Sequence, residues 1–436
     1  MMPLRIRPGR PLRGRVRVAS DLHVAQQALV WAALAHGPST LVGLDARSDA
    51  LVAGLRALGV RIEGDRVEGV GLRGLQMPAG ALDAQDSEST LVLLTALLAG
   101  QTFGTRVLGP DMSLRTLIAP LRARGAHVAG KASESDIRPP VAVAPLLTEE
   151  LLESVEIEIP MGDANTKLGL LLSGLYARGV TAIGEGMLSR DHAERALVAL
   201  GLSLATAGGM TVLDTRAGDP AWTGFAWQLP GDFTLASYLL AAGLIVPGSD
   251  VTVEGVGLNP TRTAWLEALR GTGARASAVP KGDCAGNEPR GDVRVGASQL
   301  SRIRVGGERA FGLLDEVPAL AALAVACGDR VSIRDVTALR ARTPDGLSAL
   351  RELLARFGIE STVYEDGLEI DPPERVRGAR VGAEVPPAQA LLGCVLGLVA
   401  EGETVVEDGD RLEAHYPGVL SALRTLGADI AREEEA

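Results

Sequence analysis

The arrangement of apolar and polar positions in the last third of the chain predicts one structural unit. After an acidic pair at 315–316, residues 317–327 form an apolar, small-residue run that a glycine ends, as in a buried helix. Residues 329–335 then alternate between apolar and polar side chains, which is the period of a half-buried strand. A second helix is predicted by apolar side chains on one face at Leu347, Leu350, Leu353, Leu354 and Phe357. Gly358 stands where a left-handed helix cap belongs, and an Asp-Gly pair at 366–367 favours a hairpin.

The same order of elements recurs along the whole chain. Each copy has an apolar helix, a glycine, a short strand and a second helix that ends in a glycine. The repeat is roughly 70 residues long, and its closing glycines are Gly59, Gly125, Gly201, Gly273, Gly358 and Gly427. The sequence therefore predicts six copies of a helix-strand-helix-hairpin unit.

Two features group the copies into three and three. The chain enters through a strand-like segment, and a Pro-Gly-Asp turn at 230–232 opens the fourth copy. We predict a domain of copies one to three at residues 19–229, and a domain of copies four to six at residues 1–18 plus 230–436. Helices with Ala-rich and Gly-rich faces would pack inside and sheets outside. Two such lobes joined by two crossings form a cleft that can close on a ligand.

Composition narrows the class of protein. A formal net charge of −11 argues against nucleic acid or an acidic membrane as the main partner. Three scattered cysteines make neither a metal spacing nor a disulfide framework. We see no signal peptide and no apolar run long enough to span a bilayer, so we expect a cytoplasmic, monomeric protein. The arginines from Arg5 to Arg17 alternate with apolar residues, as on a solvated strand face.

Four ordered motifs carry a family resemblance. They are SRDHAER at 189–195, GLNPTR at 257–262, LLDEVPALA at 313–321 and PGDFTLASYLLAAGLIVPGS at 230–249. In these motifs the chain resembles the enolpyruvyl transferases, and most closely the family of 5-enolpyruvylshikimate-3-phosphate synthase (3-phosphoshikimate 1-carboxyvinyltransferase).

The resemblance implies a two-domain α/β fold, an inside-out α/β barrel in each domain, that closes on phosphoshikimate and phosphoenolpyruvate. Such enzymes of the shikimate pathway, which makes the aromatic amino acids, transfer a carboxyvinyl group to a hydroxyl and release phosphate. Two highly charged anions require several Arg and Lys side chains in a dry cleft, together with a proton acceptor and a proton donor. The resemblance implies no metal and no cofactor.

Several ligand-facing positions of the family differ in this chain. The family's PGDKSISHR aligns with ASDLHVAQQ, which places Leu22 at the catalytic lysine, His23 at the adjacent serine and Gln27 at the substrate arginine. Its GNSGTTMR loop aligns with QDSESTLV, where Glu88 replaces a glycine and Val92 replaces an arginine.

The later motifs differ in the same way. The substrate-contacting SAQ appears as Asp163-Ala164-Asn165. LRVKESDR appears as LRARTPDG, in which Arg342 keeps a cation but Gly346 removes an arginine, and Ala388 stands at the arginine of DHRIA. Each charged hydrogen bond contributes about 1.5–3 kcal/mol, so losing four or five would cost roughly four or more powers of ten in rate.

These comparisons leave a short set of candidate site residues. We assign Asp315 and Glu316 as the candidate catalytic pair, and the candidate substrate-binding residues are Asn165, Arg342, Asp163, His23 and Gln27. The carboxylates at 315 and 316 could equally satisfy a helix N-terminus. The arginines at 340 and 342 could bind an anion or pair with the acids at 335 and 345. A structural role is expected for His192.

Three functions follow as hypotheses. The first is a divergent carboxyvinyl transferase whose family reaction is impaired or lost. The second is a non-catalytic relative, a pseudoenzyme, that binds a metabolite or a partner protein. The third is carboxyvinyl transfer to another acceptor such as a nucleotide sugar. The related enzyme of cell-wall synthesis that uses such an acceptor has a cysteine in a glycine-rich loop. The corresponding residues of this chain, 85–92, contain no cysteine.

Overall fold

We describe a computed structural model of the chain, covering residues 2–132, 136–147, 151–187, 189–342 and 344–432. Position 343, within the LRARTPDG segment, lies outside the described residues. The helices are Leu22–Ala33 (α1), Asp49–Ala57 (α2), Glu88–Leu98 (α3), Arg115–Ala123 (α4), Ala164–Gly174 (α5), His192–Ala199 (α6), Phe233–Ile245 (α7), Ala264–Ala268 (α8), Glu308–Phe311 (α9), Val317–Ala321 (α10), Gly346–Arg356 (α11), Pro387–Gly397 (α12), Gly409–His415 (α13) and Val419–Thr425 (α14).

The strands are short and lie between these helices. They are Leu4–Arg7 (β1), Arg13–Val16 (β2), His36–Val42 (β3), Arg61–Glu63 (β4), Arg66–Val70 (β5), Leu82–Asp83 (β6), Thr105–Leu108 (β7), Val128–Ala132 (β8), Ile137–Val143 (β9), Val155–Ile159 (β10), Val180–Glu185 (β11), Leu204–Ala207 (β12), Met210–Asp214 (β13), Ala226–Gln228 (β14), Asp250–Gly257 (β15), Arg275–Cys284 (β16), Glu288–Gly296 (β17), Arg304–Val305 (β18), Val331–Ile333 (β19), Ser361–Val363 (β20), Leu368–Ile370 (β21), Arg380–Val381 (β22), Thr404–Val406 (β23) and Asp429–Arg432 (β24).

The chain divides into two units, each with its own apolar core. The N-terminal unit comprises Ser20–Pro230 and Asp283–Glu288; the C-terminal unit comprises Met1–Ala19, Gly231–Gly282 and Pro289–Ala436. Residues 283–288, which the sequence grouping placed with copies four to six, thus belong to the N-terminal unit.

Six four-stranded sheets are formed by the described residues, three in each unit. Their strand orders are β14-β3-β5-β4, β6-β7-β9-β8 and β10-β11-β13-β12 in the N-terminal unit, and β16-β17-β15-β2, β18-β19-β21-β20 and β22-β23-β1-β24 in the C-terminal unit. Every sheet contains both parallel and antiparallel strand pairs. At its edges, each sheet has an antiparallel hairpin or a strand from another part of the chain. The predicted α/β fold of repeated units is confirmed.

One set of helices lies at the centre of each unit and is mainly apolar on all sides. In α1, α3 and α5 every residue beyond the first turn is buried, and the same holds for α12. A helix without a polar face is stable only when other elements surround it. By contrast, α11 buries its leucines and exposes the opposite face, so it covers the core from one side.

The repeat at 313–359 follows the predicted order with one difference. Val331–Ile333 is a strand, α11 carries the apolar face, and Gly358 has a φ of +73° in the left-handed region where glycine is favoured. The apolar run before the strand is not one helix. It divides into α10 and a tighter 3₁₀ segment at Ala322–Ala326.

Strand β1 has an unusual place in its sheet. It lies between β23 and β24, antiparallel to both, with Leu4 opposite Val406 on one side and Arg432 on the other. Residues 4–7 therefore complete a sheet whose other strands come from beyond residue 379.

Candidate functional site

In the N-terminal unit, the starts of α1, α3 and α5 lie together. Gln26 Nε2 donates to Ser87 Oγ and to Thr90 Oγ1, each at 3.3 Å. Ser89 Oγ donates to Asn165 Oδ1 at 3.4 Å. We call Gln26, Ser87, Ser89, Thr90 and Asn165 the amide site. Its five side chains carry no formal charge.

Local capping explains why three helices begin here. Asp21 accepts from the backbone of His23 at 3.0 Å and of Val24 at 3.1 Å, and Ser87 and Asp163 each accept from the backbone N–H three residues on. Such N-caps satisfy amides that have no partner within the helix. The first turn of each helix therefore faces the site, while the following turns pack in the core.

The predicted residues of α1 have different surroundings. His23 is half-buried in the first turn, and Gln27, one turn later on the same face, is only 7% exposed. The Oε1 atoms of Gln26 and Gln27 are buried and accept no hydrogen bond from the described residues. Buried acceptors without a donor are uncommon, because each costs the hydration it has lost. These two oxygens therefore suit a ligand or water that donates.

Asp163 serves the helix as well as the site. Its second carboxylate oxygen accepts from Thr116 Oγ1 at 3.0 Å, and Thr116 Oγ1 lies 2.9 Å from Thr166 Oγ1. Both oxygens of Asp163 are thus engaged by neighbouring side chains and backbone. The structure brings Asn165, not Asp163, into contact with the residues of α3.

The lysine two residues after Asn165 points away from the amide site, as helix geometry predicts. Lys167 is 1% exposed, and its Nζ lies 2.8 Å from Glu185 Oε1 and 2.6 Å from Glu194 Oε1. Burial raises the pKa of Glu194, against the lowering effect of Lys167. The buried ammonium is therefore held by two carboxylates and does not replace a missing cation at the amide site.

In the C-terminal unit, the starts of α7 and α10 form a charged group. Glu316 is fully buried; its Oε1 accepts from Thr234 Oγ1 at 2.5 Å and lies 3.3 Å from Arg262 Nη2. Asp315 Oδ1 accepts from Arg342 Nη2 at 2.7 Å, and its Oδ2 lies 3.8 Å from Arg262 Nη1. We call Thr234, Arg262, Asp315, Glu316 and Arg342 the ionic site. Two arginines and two carboxylates bring its formal charge to zero.

Two tyrosines lie beside the ionic site, Tyr238, which is buried, and Tyr416, which is half-buried. The rings of Tyr238 and Tyr416 meet edge to face, 5.6 Å apart. Tyr238 donates to the carbonyl of Ala388 at 3.1 Å, which ties α7 to the start of α12. Burial raises the pKa of both phenols, and the carboxylates of Glu316 and Asp315 add to the effect on Tyr238 and Tyr416 respectively. Both tyrosines thus stay neutral hydrogen-bonding groups near neutral pH.

Two of the positions where the resemblance would place an arginine hold a buried valine and a glycine. Val92 is 2% exposed within α3. Gly346 opens α11, and a Cβ added there would lie 2.8 Å from the carbonyl oxygen of Leu339. An arginine at 346 would therefore require the preceding segment to shift.

The two arginines of the 339–346 segment take different partners. Arg340 pairs with Asp345 at 2.8 Å, one of the acids the sequence suggested, and also donates to two backbone carbonyls. Arg342 pairs with Asp315 rather than with Asp335, which instead accepts from the backbone of Gly307. His192 is buried, with Nδ1 2.8 Å from Glu288 Oε1.

Sequence reasoning missed six members of these sites, which are Gln26, Ser87, Ser89, Thr90, Thr234 and Arg262. Gln26 is adjacent to the predicted Gln27, but only the fold shows that it reaches α3. Thr234 and Arg262 lie in motifs that signalled family membership, PGDFTL and GLNPTR, and those motifs were the available signal.

Metal-binding and membrane features were also sought. Within the described ranges no group of three or more His, Cys, Asp or Glu side chains is placed to hold a metal ion. None of the helices described is both long and apolar enough to cross a bilayer.

Comparison with known proteins identifies the family. The sequence pattern of the family described as EPSP synthase (3-phosphoshikimate 1-carboxyvinyltransferase) matches residues 6–423. A protein named 3-phosphoshikimate 1-carboxyvinyltransferase from Citrifermentans bemidjiense is 35% identical over 431 residues, covering 96% of this chain and 97% of its own. One of the same name from Gloeobacter violaceus is 38% identical over 426 residues, covering 94% and 96%.

A solved structure is similar in fold over the full length. The EPSP synthase from Acinetobacter baumannii superposes with a TM-score of 0.90 at 27% identity and covers 100% of both chains. Sequence and structure agree that this chain belongs to the EPSP synthase (3-phosphoshikimate 1-carboxyvinyltransferase) family.

Proposed function

We propose that this chain has lost efficient carboxyvinyl transfer from phosphoenolpyruvate to phosphoshikimate, and that its amide site binds a small polyhydroxylated metabolite of low charge. The observation that carries the proposal is a pair of buried amide oxygens, on Gln26 of the amide site and on the adjacent Gln27, that accept no hydrogen bond from any described residue. A hydrogen-bond acceptor attracts hydroxyl groups and repels the oxygens of a phosphate. The position that resembles the family's substrate arginine thus carries a neutral amide, which accepts as well as donates hydrogen bonds.

The charges of the ionic site support the same proposal. Arg342 and Arg262 are paired with Asp315 and Glu316, so the formal charges of the site cancel. Binding a dianion there would require these internal pairs to break. Because Glu316 is fully buried, separating it from Arg262 would leave a desolvated charge without compensation.

A competing function is retained carboxyvinyl transfer. It is favoured by the near full-length similarity to proteins named 3-phosphoshikimate 1-carboxyvinyltransferase and by the presence of Asp315, Arg342 and Asn165 at matching positions. In that case Asp315 would accept the hydroxyl proton and Arg342 would hold an anion. A change of acceptor to a nucleotide sugar has no supporting contact in the described residues.

Two measurements separate these functions. Purified protein is mixed with phosphoenolpyruvate and phosphoshikimate, and phosphate release is followed. We expect none above background, whereas release at a rate typical of enzymes, about 10 s⁻¹, would refute the proposal. Thermal unfolding is then measured with shikimate, which has hydroxyls but no phosphate, and with phosphoenolpyruvate.

The expected pattern is stabilisation by shikimate and none by phosphoenolpyruvate. A ligand at one hundred times its Kd stabilises by about 2.7 kcal/mol, which a melting curve resolves. Gln26→Leu should remove the effect of shikimate, while Arg216→Met on an exposed surface should leave it unchanged. Stabilisation by phosphoenolpyruvate alone would favour the competing function.

A further inference from the structure

We propose that the outer face of the sheet β16-β17-β15-β2 carries an oxyanion site for a small phosphate-bearing molecule, formed by Arg13, Arg15, Arg275 and Arg294. These arginines and Asp250 line an open hollow of ≈ 580 Å³ in the C-terminal unit. We call it the arginine hollow. It is independent of the amide site and of the ionic site.

Strand register places the arginines in two adjacent rows. On β15, Asp250 lies opposite Arg13 of β2 and opposite Gly296 of β17. Two residues on, and therefore on the same face, Thr252 lies opposite Arg15 and Arg294. The guanidinium groups thus come from three neighbouring strands and surround one carboxylate.

A glycine makes room for the fourth guanidinium. A Cβ added to Gly296 would lie 2.9 Å from Arg275 Cζ and 3.1–3.2 Å from both of its terminal nitrogens. The planar group of Arg275 therefore rests on the bare backbone of β17. With a larger residue at 296, Arg275 would be pushed out of the hollow.

Positive charge exceeds negative charge in this hollow. Arg294 forms two hydrogen bonds to Asp250, at 2.8 and 2.5 Å, and Arg15 pairs with Glu254 and Asp292 at its rim. Arg13 Nε donates to the carbonyl of Gly248 at 3.2 Å. In the described part of the chain, neither Arg13 nor Arg275 forms an ion pair with a carboxylate. The pKa of Asp250 is lowered, first by the Arg294 hydrogen bonds and further by the charges of Arg275 and Arg13.

The neighbouring repeat supplies an internal comparison. Its sheet, β18-β19-β21-β20, has a hollow of ≈ 550 Å³ whose charged lining residues are Arg302, Arg304, Arg330, Asp329, Glu369 and Asp371. We call it the balanced hollow, since three arginines face three acids. Ser332 lies opposite Glu369, just as Thr252 lies opposite Arg294. Continuing that register places Asp371 at the position equivalent to Gly296.

The difference between the two hollows indicates the ligand. Where the balanced hollow has the carboxylates of Glu369 and Asp371, the arginine hollow has Arg294 and Gly296. Arg330 is neutralised by both acids, at 3.2 and 2.7 Å. Guanidinium groups bind phosphate oxygens through paired hydrogen bonds, and two of those in the arginine hollow lack a carboxylate partner among the described residues. A dianion that fits the hollow would supply the missing charge.

The test titrates the full-length chain with inorganic phosphate and, separately, with glycerol 3-phosphate at about 150 mM salt, where weak surface attraction is largely screened. Isothermal titration calorimetry gives the stoichiometry and Kd. We expect one saturable site, with Kd raised about tenfold or more in Arg275→Gln and in Arg13→Gln. Tighter binding of glycerol 3-phosphate would identify an organic phosphomonoester as the ligand, and tighter binding of inorganic phosphate would identify the free ion; both support the site.

Three further variants distinguish the arginine hollow from the protein's other charged groups. Arg330→Gln in the balanced hollow and Arg342→Gln in the ionic site should leave Kd unchanged, whereas Gly296→Ala should weaken binding by displacing Arg275. Circular dichroism and melting curves verify that each variant is folded. The proposal is overturned if neither anion binds saturably, if Arg330→Gln weakens binding as much as Arg275→Gln, or if Arg342→Gln abolishes it.

Discussion

The amide site and the ionic site are built on the same scaffold but hold different chemistry. Each lies at the N-terminal ends of buried helices, between the capping residues and the packed turns that follow. The amide site contains neutral groups at distances of 3.3–3.4 Å, and a buried acceptor of Gln26 has no donor among the described residues. The ionic site contains four charges in contacts of 2.7–3.8 Å. The buried helices position the residues of both sites but do not determine whether those residues are neutral or charged.

This difference has an energetic consequence. A buried charge must keep its partner, so the buried Arg262 and Glu316 of the ionic site can change only together. A neutral side chain at a helix start can change singly at the cost of about one hydrogen bond. The amide site is therefore the site of the two whose binding properties can change stepwise.

The largest expected effect comes from breaking the ionic site. Arg262→Met removes the cation nearest to the fully buried Glu316, and we expect a loss of about 3–5 kcal/mol in the free energy of unfolding, measured by urea denaturation. Arg262→Met combined with Glu316→Leu should recover part of that loss, because no uncompensated charge remains. Arg216→Met, at an exposed pair, is the control and should change little. Equal losses in the single and double variants would contradict the argument.

An intermediate effect is expected from the buried charges behind the amide site. Since the pKa of Glu194 is raised in the folded protein, the native state binds this proton more tightly than the unfolded state. The resulting stability is fully present below the unfolded pKa and is lost as pH rises through the folded pKa. Glu194→Gln should therefore remove one source of the stability that falls as the pH rises above about 4.3, the ordinary pKa of glutamate.

The measurement is urea denaturation of both proteins at several pH values. Asp214→Asn provides a control of opposite sign. Hydrogen bonding from Arg216 lowers the pKa of Asp214 to about 2, so its contribution is lost as pH falls rather than as it rises. A constant difference between wild type and Glu194→Gln at every pH would show that the carboxyl does not titrate as described.

A smaller effect is expected at the cap of α5. Asp163→Ala removes the acceptor for the Thr166 amide and for the Thr116 hydroxyl, and should cost about 1–2 kcal/mol in the free energy of unfolding. Asp163→Asn is the matched comparison, because asparagine also caps helices, and it should retain most of the stability. If both variants lost the same amount, the negative charge rather than the cap would be responsible.

The smallest expected effect is that of Leu22→Lys on activity. We predict that this substitution gives no detectable gain in carboxyvinyl transfer. A single ammonium at the start of α1 does not restore the positions held by Gln27, Val92, Gly346 and Ala388. Phosphate release in the presence of both substrates is the measurement. Recovery of turnover by this one change would show that the other departures are tolerated.

The helices, turns and repeats could be predicted from the sequence because the sequence signals for each of them are local. Helix faces, closing glycines such as Gly358 and the turn at 366–367 each depend on a few adjacent residues. The division of 317–327 into α10 and a 3₁₀ segment was not foreseen, since an apolar run gives length but not helix type.

The contacts of the site could be read only in part. The sequence singles out Arg342 as a charged candidate, but its partner Asp315 lies 27 residues earlier, and the acids closer in sequence, at 335 and 345, are engaged by Gly307 and Arg340. Gln26 was overlooked because its partners Ser87 and Thr90 lie 61 and 64 residues further along the chain. Long-range pairing of this kind depends on how separate repeats pack, and periodicity contains no information about it.

Strand β1 has a consequence for how the protein is made. Its hydrogen-bonding neighbours β23 and β24 leave the ribosome only when nearly all of the chain has been synthesised, since Leu4 pairs with Val406 and Arg432. Residues 20–230 can assemble their three sheets long before that, apart from the short segment at 283–288. During translation the first strand therefore waits, unpaired, while the N-terminal unit forms around its own core, and the sheet that contains it closes last.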